Sequence, residues 1–167
     1  MTNTQKVIGD RSPVWLFLIT FVFVFYGMGA AFVESFVNYP TWRLIGAAEF
    51  QAYHQALSPL IIGFMVIPVF VTIPLTALLL WKRPFQIPKW AIWLAILMQL
   101  AAAVSSVFVQ IPIQVQLSSE GLSLELIDRL IITNFWLRRV PMLINSILFF
   151  WMMTLLLKNA AVRNRAE

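Results

Sequence analysis

PVWLFLITFVFVFYGMGAAFVESFV, residues 13–37, is the stretch whose reading decides the fold: 25 residues carrying one charge, Glu34, close to the end. As a helix rising about 1.5 Å per residue it is longer than the roughly 30 Å hydrocarbon core of a bilayer. The small residues Gly27, Gly29, Ala30 and Ala31 invite comparison with a secretory signal. The apolar run, however, continues through Phe32 and Val33 and exceeds the roughly 7–15 apolar residues of such a signal, so it reads as a retained membrane helix.

Working outward, three further apolar runs follow, over 55–81, 90–113 and 138–157. The second carries Pro59, Pro68 and Pro74, which predicts a kinked helix whose freed carbonyls are satisfied by neighbours. The third holds the small patch Ala101-Ala102-Ala103 with Ser105 and Ser106, a place for close helix approach. Before the fourth, Leu124, Ile127, Leu130 and Ile131 share one face opposite Asp128 and Arg129, which predicts an interfacial helix over 123–137. The expected fold is an all-α transmembrane four-helix bundle, one domain over residues 1–167. A tight turn is expected between Pro84 and Pro88, longer connections at the opposite end, and no internal repeat at a fixed period.

Composition agrees: 60% of residues are hydrophobic and 11% charged, against about a quarter charged in soluble domains. The net charge of +5 comes from short basic clusters beside apolar runs, never a stripe, which argues against nucleic acid and makes the lipid bilayer the first partner. Cysteine is absent, which removes disulfides, thiolate metal sites and cysteine nucleophiles. Lys6, Arg11, Lys82, Arg83, Lys89, Lys158, Arg163 and Arg165 outnumber Arg43 and Arg129 on the other side, where Arg138 and Arg139 also open the last helix. This bias predicts N- and C-termini in the cytoplasm, in a multi-pass protein of a bacterial inner (plasma) membrane. Trp15, Trp42, Trp81, Trp90 and Trp136 fall near the span ends, as interfacial indoles do.

Polar side chains are costly in hydrocarbon, and here they gather in the outer halves of the spans. Glu34 and Asn38 are four apart on the first span. His54 opens the second, and Ser106, Gln110 and Gln114 step by four along the third. Asn134, Arg138, Pro141 and Asn145 draw one stripe on the fourth. Closure of the bundle would bring these stripes to one polar chamber, with Glu34 and Arg138 at similar depth, where each charge offsets the cost of burying the other. The plainer reading is that these groups tie helices together or meet headgroups, and for His54 a hydrogen-bonded structural imidazole is the plainer reading. Arg138 is favoured over Arg139 because it shares the stripe with Asn134 and Asn145, leaving Arg139 to snorkel to headgroups. No metal is expected: His54, Glu34 and Glu49 lack any metal-ligand spacing. A lone histidine is weak support for haem, and aromatic filler is weak support for a quinone, so the cofactor is left unspecified.

Two segments carry a family likeness: Val109-Gln110-Ile111-Pro112-Ile113-Gln114-Val115-Gln116-Leu117 and Asn134-Phe135-Trp136-Leu137-Arg138, together with Asn38-Tyr39-Pro40. On these motifs and the four-span layout the chain resembles the anthrone-oxygenase-like family of small membrane proteins. It departs from the family pattern at Gln114, where Asn is usual, and at Leu130, where Trp is usual. The resemblance implies oxidation of an activated aromatic or enolisable substrate by O₂ without metal or flavin. His54 or Glu34 would be the base, with Arg138, Asn134 and Gln114 stabilising the anion.

Three functions follow from these residues. One is an oxidoreductase of the oxygenase type, with His54, Glu34 and Arg138 as catalytic candidates and Asn38, Gln110, Gln114, Asn134 and Asn145 binding the substrate. Another is a protein that binds or transports a small aromatic or amphiphilic ligand, which for a single four-helix unit would call for a homo-oligomer. The last is a non-catalytic membrane partner subunit.

Overall fold

Each apolar run folds as a helix, and each helix continues beyond its apolar run. A computed structural model describes residues 14–164 and contains four long helices: α1 (Val14–Leu44), α2 (Ala47–Lys82), α3 (Lys89–Glu120) and α4 (Leu124–Lys158). All four are long and apolar enough to cross a bilayer, and no strand occurs among the described residues. The chain is a multi-pass integral membrane protein built as an all-α four-helix bundle. Consecutive helices are neighbours, and α1 also packs on α4, which closes the bundle. Pro13, Lys6, Arg11 and Arg165 lie outside the described residues.

The extra length lies at the end of the bundle remote from Val14, here called the distal end. There α1 passes through Pro40 to Leu44, α2 starts at Ala47, and α3 passes Pro112 to reach Glu120. The segment expected to begin as an interfacial helix and then enter the bilayer forms one continuous helix with the fourth span. The expectation of longer distal connections is therefore corrected. Ile45–Gly46 joins α1 to α2, Gly121–Ser123 joins α3 to α4, and the longest connection is Arg83–Pro88 at the other end. Gly121 has φ of 88°, a left-handed conformation that glycine adopts without strain, which ends α3 at once.

A wide π-helical turn interrupts every helix: Glu34–Asn38 in α1, Ile62–Val66 in α2, Ser106–Gln110 in α3 and Phe135–Arg139 in α4. Each ends two residues before a proline, namely Pro40, Pro68, Pro112 and Pro141. Proline has no N–H to give, and its ring collides with the carbonyl four residues back. A turn with one extra residue gives that carbonyl room. In α2 the carbonyl of Phe64, four residues before Pro68, accepts instead from the Tyr26 hydroxyl of α1 at 2.7 Å. That carbonyl is thus satisfied from a neighbouring helix, as expected of one freed by proline in hydrocarbon.

These turns fall at matching places in the two halves of the chain. Phe36-Val37-Asn38-Tyr39-Pro40 recurs as Phe108-Val109-Gln110-Ile111-Pro112, 72 residues on, and Pro68 recurs as Pro141, 73 residues on.

Two apolar clusters bracket the polar tier. Leu16, Phe17, Leu79, Ile92, Phe149 and Met152 fill the bundle on the side of the termini. Tyr39, Trp42, Phe50, Leu117, Ile127 and Leu130 fill the distal end. Around both, side chains such as Phe25, Phe64, Trp93, Phe108 and Phe150 face outward, the surface that lipid covers.

Candidate functional site

Between the two apolar clusters lies a chamber of about 300 Å³ lined by all four helices. Each π turn supplies part of its wall: Glu34 from α1, Met65 and Val66 from α2, Ser106 and Gln110 from α3, Arg138 from α4. The volume is at the small end of the range for ligand pockets, and most of the surface is apolar, which suits a small molecule carrying few polar groups.

Glu34 is buried, and the Nδ2 of Asn38, one turn on, donates to its Oε2 at 2.6 Å. Its Oε1 is buried without a protein partner. Arg138 lines the same chamber, and no hydrogen bond or ion pair ties it to another described residue; the expected Glu34–Arg138 ion pair is not formed. Two further lining residues present orphaned buried donors, the indole Nε1 of Trp42 and the amide Nε2 of Gln110. The Gln110 orientation is fixed by Ser105, whose hydroxyl donates to Oε1 at 2.9 Å. Leaving such groups buried and unpaired costs about 1–3 kcal/mol each, and more for a charge. Three of the six orphaned buried polar side-chain atoms among the described residues sit on this one chamber.

His54 also lines the chamber, in a different condition. Its Nε2 lies 2.7 Å from Gln114 Oε1 and its Nδ1 lies 2.8 Å from Ser118 Oγ. Because Gln114 Nε2 donates to the Tyr39 hydroxyl at 3.2 Å, Gln114 Oε1 faces the imidazole as an acceptor, which places the ring proton on Nε2 and leaves Nδ1 to accept from Ser118. The ring stacks on Phe50 and meets the edge of Trp42. Both nitrogens are committed. His54 is a strut that ties α2 to α3 and orients Gln114.

Asn134 and Asn145 do not line the chamber. Asn134 Nδ2 donates to Ser35 Oγ at 2.6 Å, and its Oδ1 accepts from Arg139 at 3.3 Å. Asn145 sits deeper, beside a small space of about 30 Å³, where Gln99 Nε2 reaches its Oδ1 at 3.5 Å and Thr76 Oγ1 at 2.9 Å. The single stripe expected on α4 is split by the π turn Phe135–Arg139. With five residues in that turn, the residue that meets Asn134 is Arg139 rather than Arg138.

The same register shift corrects the expectation for Arg139. It does not snorkel: it is 3% exposed and donates through Nε to Ser35 Oγ, which joins α4 to α1. Trp42, expected at the interface, is 1% exposed, whereas Trp15, Trp81, Trp90 and Trp136 are exposed as expected. Sequence reading gives no place in the site to Tyr39, Trp42, Ser118 or Gln99. A signal exists for Ser118, which extends the step of four from Gln110 and Gln114.

Among the described residues no three His, Cys, Asp or Glu side chains gather as a metal-holding group. Taken together, the chamber can receive a proton at Glu34 and hold an anion or strong acceptor with Arg138, Gln110 and Trp42. No protein-family model, curated protein or solved structure matches this chain.

Proposed function

We propose that the chamber binds a small, weakly acidic aromatic or enolisable molecule and promotes its oxidation by O₂. In this reading Glu34 is the base and Arg138, helped by Gln110 and Trp42, holds the anion. The observation that carries it is the set of unpartnered groups on one apolar-walled chamber, an acceptor in Glu34 and donors in the other three. A site that stabilises the deprotonated substrate more than the neutral one lowers the barrier to carbanion formation. For an anthrone-like substrate, Glu34 takes a proton from the ring methylene. The carbanion then gives electrons to O₂, a peroxide forms on that carbon, and loss of water leaves a carbonyl. The net change is CH₂ plus O₂ to C=O plus H₂O, with O₂ as the oxidant. The resemblance to the anthrone-oxygenase-like family supports the same reading.

His54 acts here as a positioning residue, because neither ring nitrogen is free to take a proton. The bias of basic residues, with Lys82, Arg83 and Lys89 at the end opposite the chamber, orients the distal end to the outer face of the membrane.

The test is oxygen uptake by the purified protein in lipid nanodiscs supplied with anthrone. Glu34→Gln, which keeps an acceptor for Asn38, should lower turnover by about 100-fold or more, the share of a general base. Arg138→Ala should lower it as well. Equal turnover in wild type and both variants removes the proposed chemistry. Tight anthrone binding without oxygen uptake would favour a carrier of small amphiphiles instead.

A further inference from the structure

The chamber is shut at two levels and open at a third. At the distal end Tyr39 and Trp42, both buried, pack with Phe50 and Leu117 in an apolar cap. There the Ala47–Ile61 segment of α2 is fastened to α3 by His54 on Gln114 and Ser118, and by Gln51 and Gln55 on the Ser118 carbonyl at 3.2 and 3.0 Å. On the side of the termini α2 and α3 pack directly, with Gln99 donating to Thr76. Between these levels the π turns Ile62–Val66 and Ser106–Gln110 hardly touch. Two chamber-lining residues beside this gap, Ile62 and Ile111, are also exposed, at 52% and 44%. A wall residue seen from both inside and outside marks the lip of an opening, and this one faces the hydrocarbon.

We infer that the chamber is loaded sideways from the bilayer through a portal between the π turns of α2 and α3, and that its ligand is a membrane-dissolved amphiphile with one acidic head and an apolar body. The inference rests on reading the chamber as a ligand site and adds the phase that supplies it. Polar and apolar surface are arranged to match. Arg138, Gln110 and Glu34 receive the head inside, while the portal offers only aliphatic side chains to a body that can trail into lipid.

The native chain has no cysteine, so a cross-link can be placed cleanly. Ile62→Cys and Ile111→Cys would be joined by a flexible bis-maleimide in protein reconstituted into phosphatidylcholine vesicles. The probe is a medium-chain carboxylic acid bearing a diazirine, dissolved in the vesicle membrane, and the readout is mass-spectrometric mapping of photolabel on Met65 and Met142. The open protein should be labelled there, and cross-linking should lower the labelling rate by about tenfold or more, the effect of a modest added barrier. The single-cysteine proteins treated with the same reagent should label like the open form. Labelling that survives the cross-link, that appears only when the acid is added from water, or that never reaches the chamber would overturn the portal. Because photolabelling needs no turnover, failure of the oxidation chemistry alone would leave this result standing.

Discussion

Arg138 and Arg139 are adjacent in the chain and have opposite surroundings: Arg138 opens onto the chamber, whereas Arg139 is tied to Ser35 and Asn134. Ser35 Oγ accepts from both Asn134 and Arg139 and donates to the Ala31 carbonyl at 2.9 Å, so its capacity is filled. Removing the Arg139 side chain takes away one of the two side-chain bonds to Ser35 that join α4 to α1 and leaves a void beside Asn134. Arg139→Ala should therefore destabilise the bundle by about 2–3 kcal/mol. Arg138→Ala breaks no hydrogen bond or ion pair and removes only a longer-range attraction to Glu34, and should lower the thermal midpoint less than Arg139→Ala does. Thermal unfolding in one detergent separates the two; equal losses would mean that Arg138 is structural as well.

His54 joins α2 to α3 through both ring nitrogens, so its loss should read first as loss of stability. His54→Ala gives up two hydrogen bonds and a stacked ring, together worth about 1–3 kcal/mol. The fall in oxygen uptake should be smaller than for Glu34→Gln when compared at a temperature where each variant is folded. A profile in which His54→Ala keeps its melting temperature but loses turnover by the larger factor would assign the base to His54.

The contrast between these two residues shows what the sequence could and could not carry. The four spans and the clustering of polar groups in one half followed from run length and the cost of burying dipoles, which act locally. Glu34, His54, Gln110, Gln114 and Arg138 do share one chamber. The split of Asn134 from Arg138 did not follow, because a spacing of four, three and four presumes an unbroken α-helix and α4 has a π turn at that point. The prolines mark all four π turns, but nothing in the sequence singles out Pro40, Pro112 and Pro141 for this until the wide turns before them are seen. Nor can the burial of Trp42 be read from a span end. It depends on α1 continuing past Pro40 and folding its end against Phe50 and His54.

The orientation assigned from basic residues can be tested at the two ends of the bundle. Gly46→Cys at the distal end and Gln86→Cys in the Arg83–Pro88 connection would be expressed separately in the cysteine-free chain. In intact cells a membrane-impermeant maleimide should label the residue at 46 and reach the residue at 86 only after permeabilisation. Reversed labelling would invert the topology and move the chamber to the cytoplasmic leaflet, with the bundle itself unaffected.

The pairing of Tyr26 with Pro68 makes a sharper test of why every span carries a π turn. If the turn exists to accommodate proline, then the Phe64 carbonyl needs an outside donor only because residue 68 has no N–H. Tyr26→Phe should cost about 1 kcal/mol, the net worth of one hydrogen bond. With Pro68→Ala already in place the same change should cost little, since that substitution returns a backbone donor to the carbonyl. A double-mutant cycle on thermal stability measures the difference directly. If the two losses simply add, Tyr26 is a surface contact of no account to the backbone. A shortfall of most of the single-mutant cost would mean that a side chain on α1 has taken over a backbone bond of α2, and that these wide turns are held open by their neighbours.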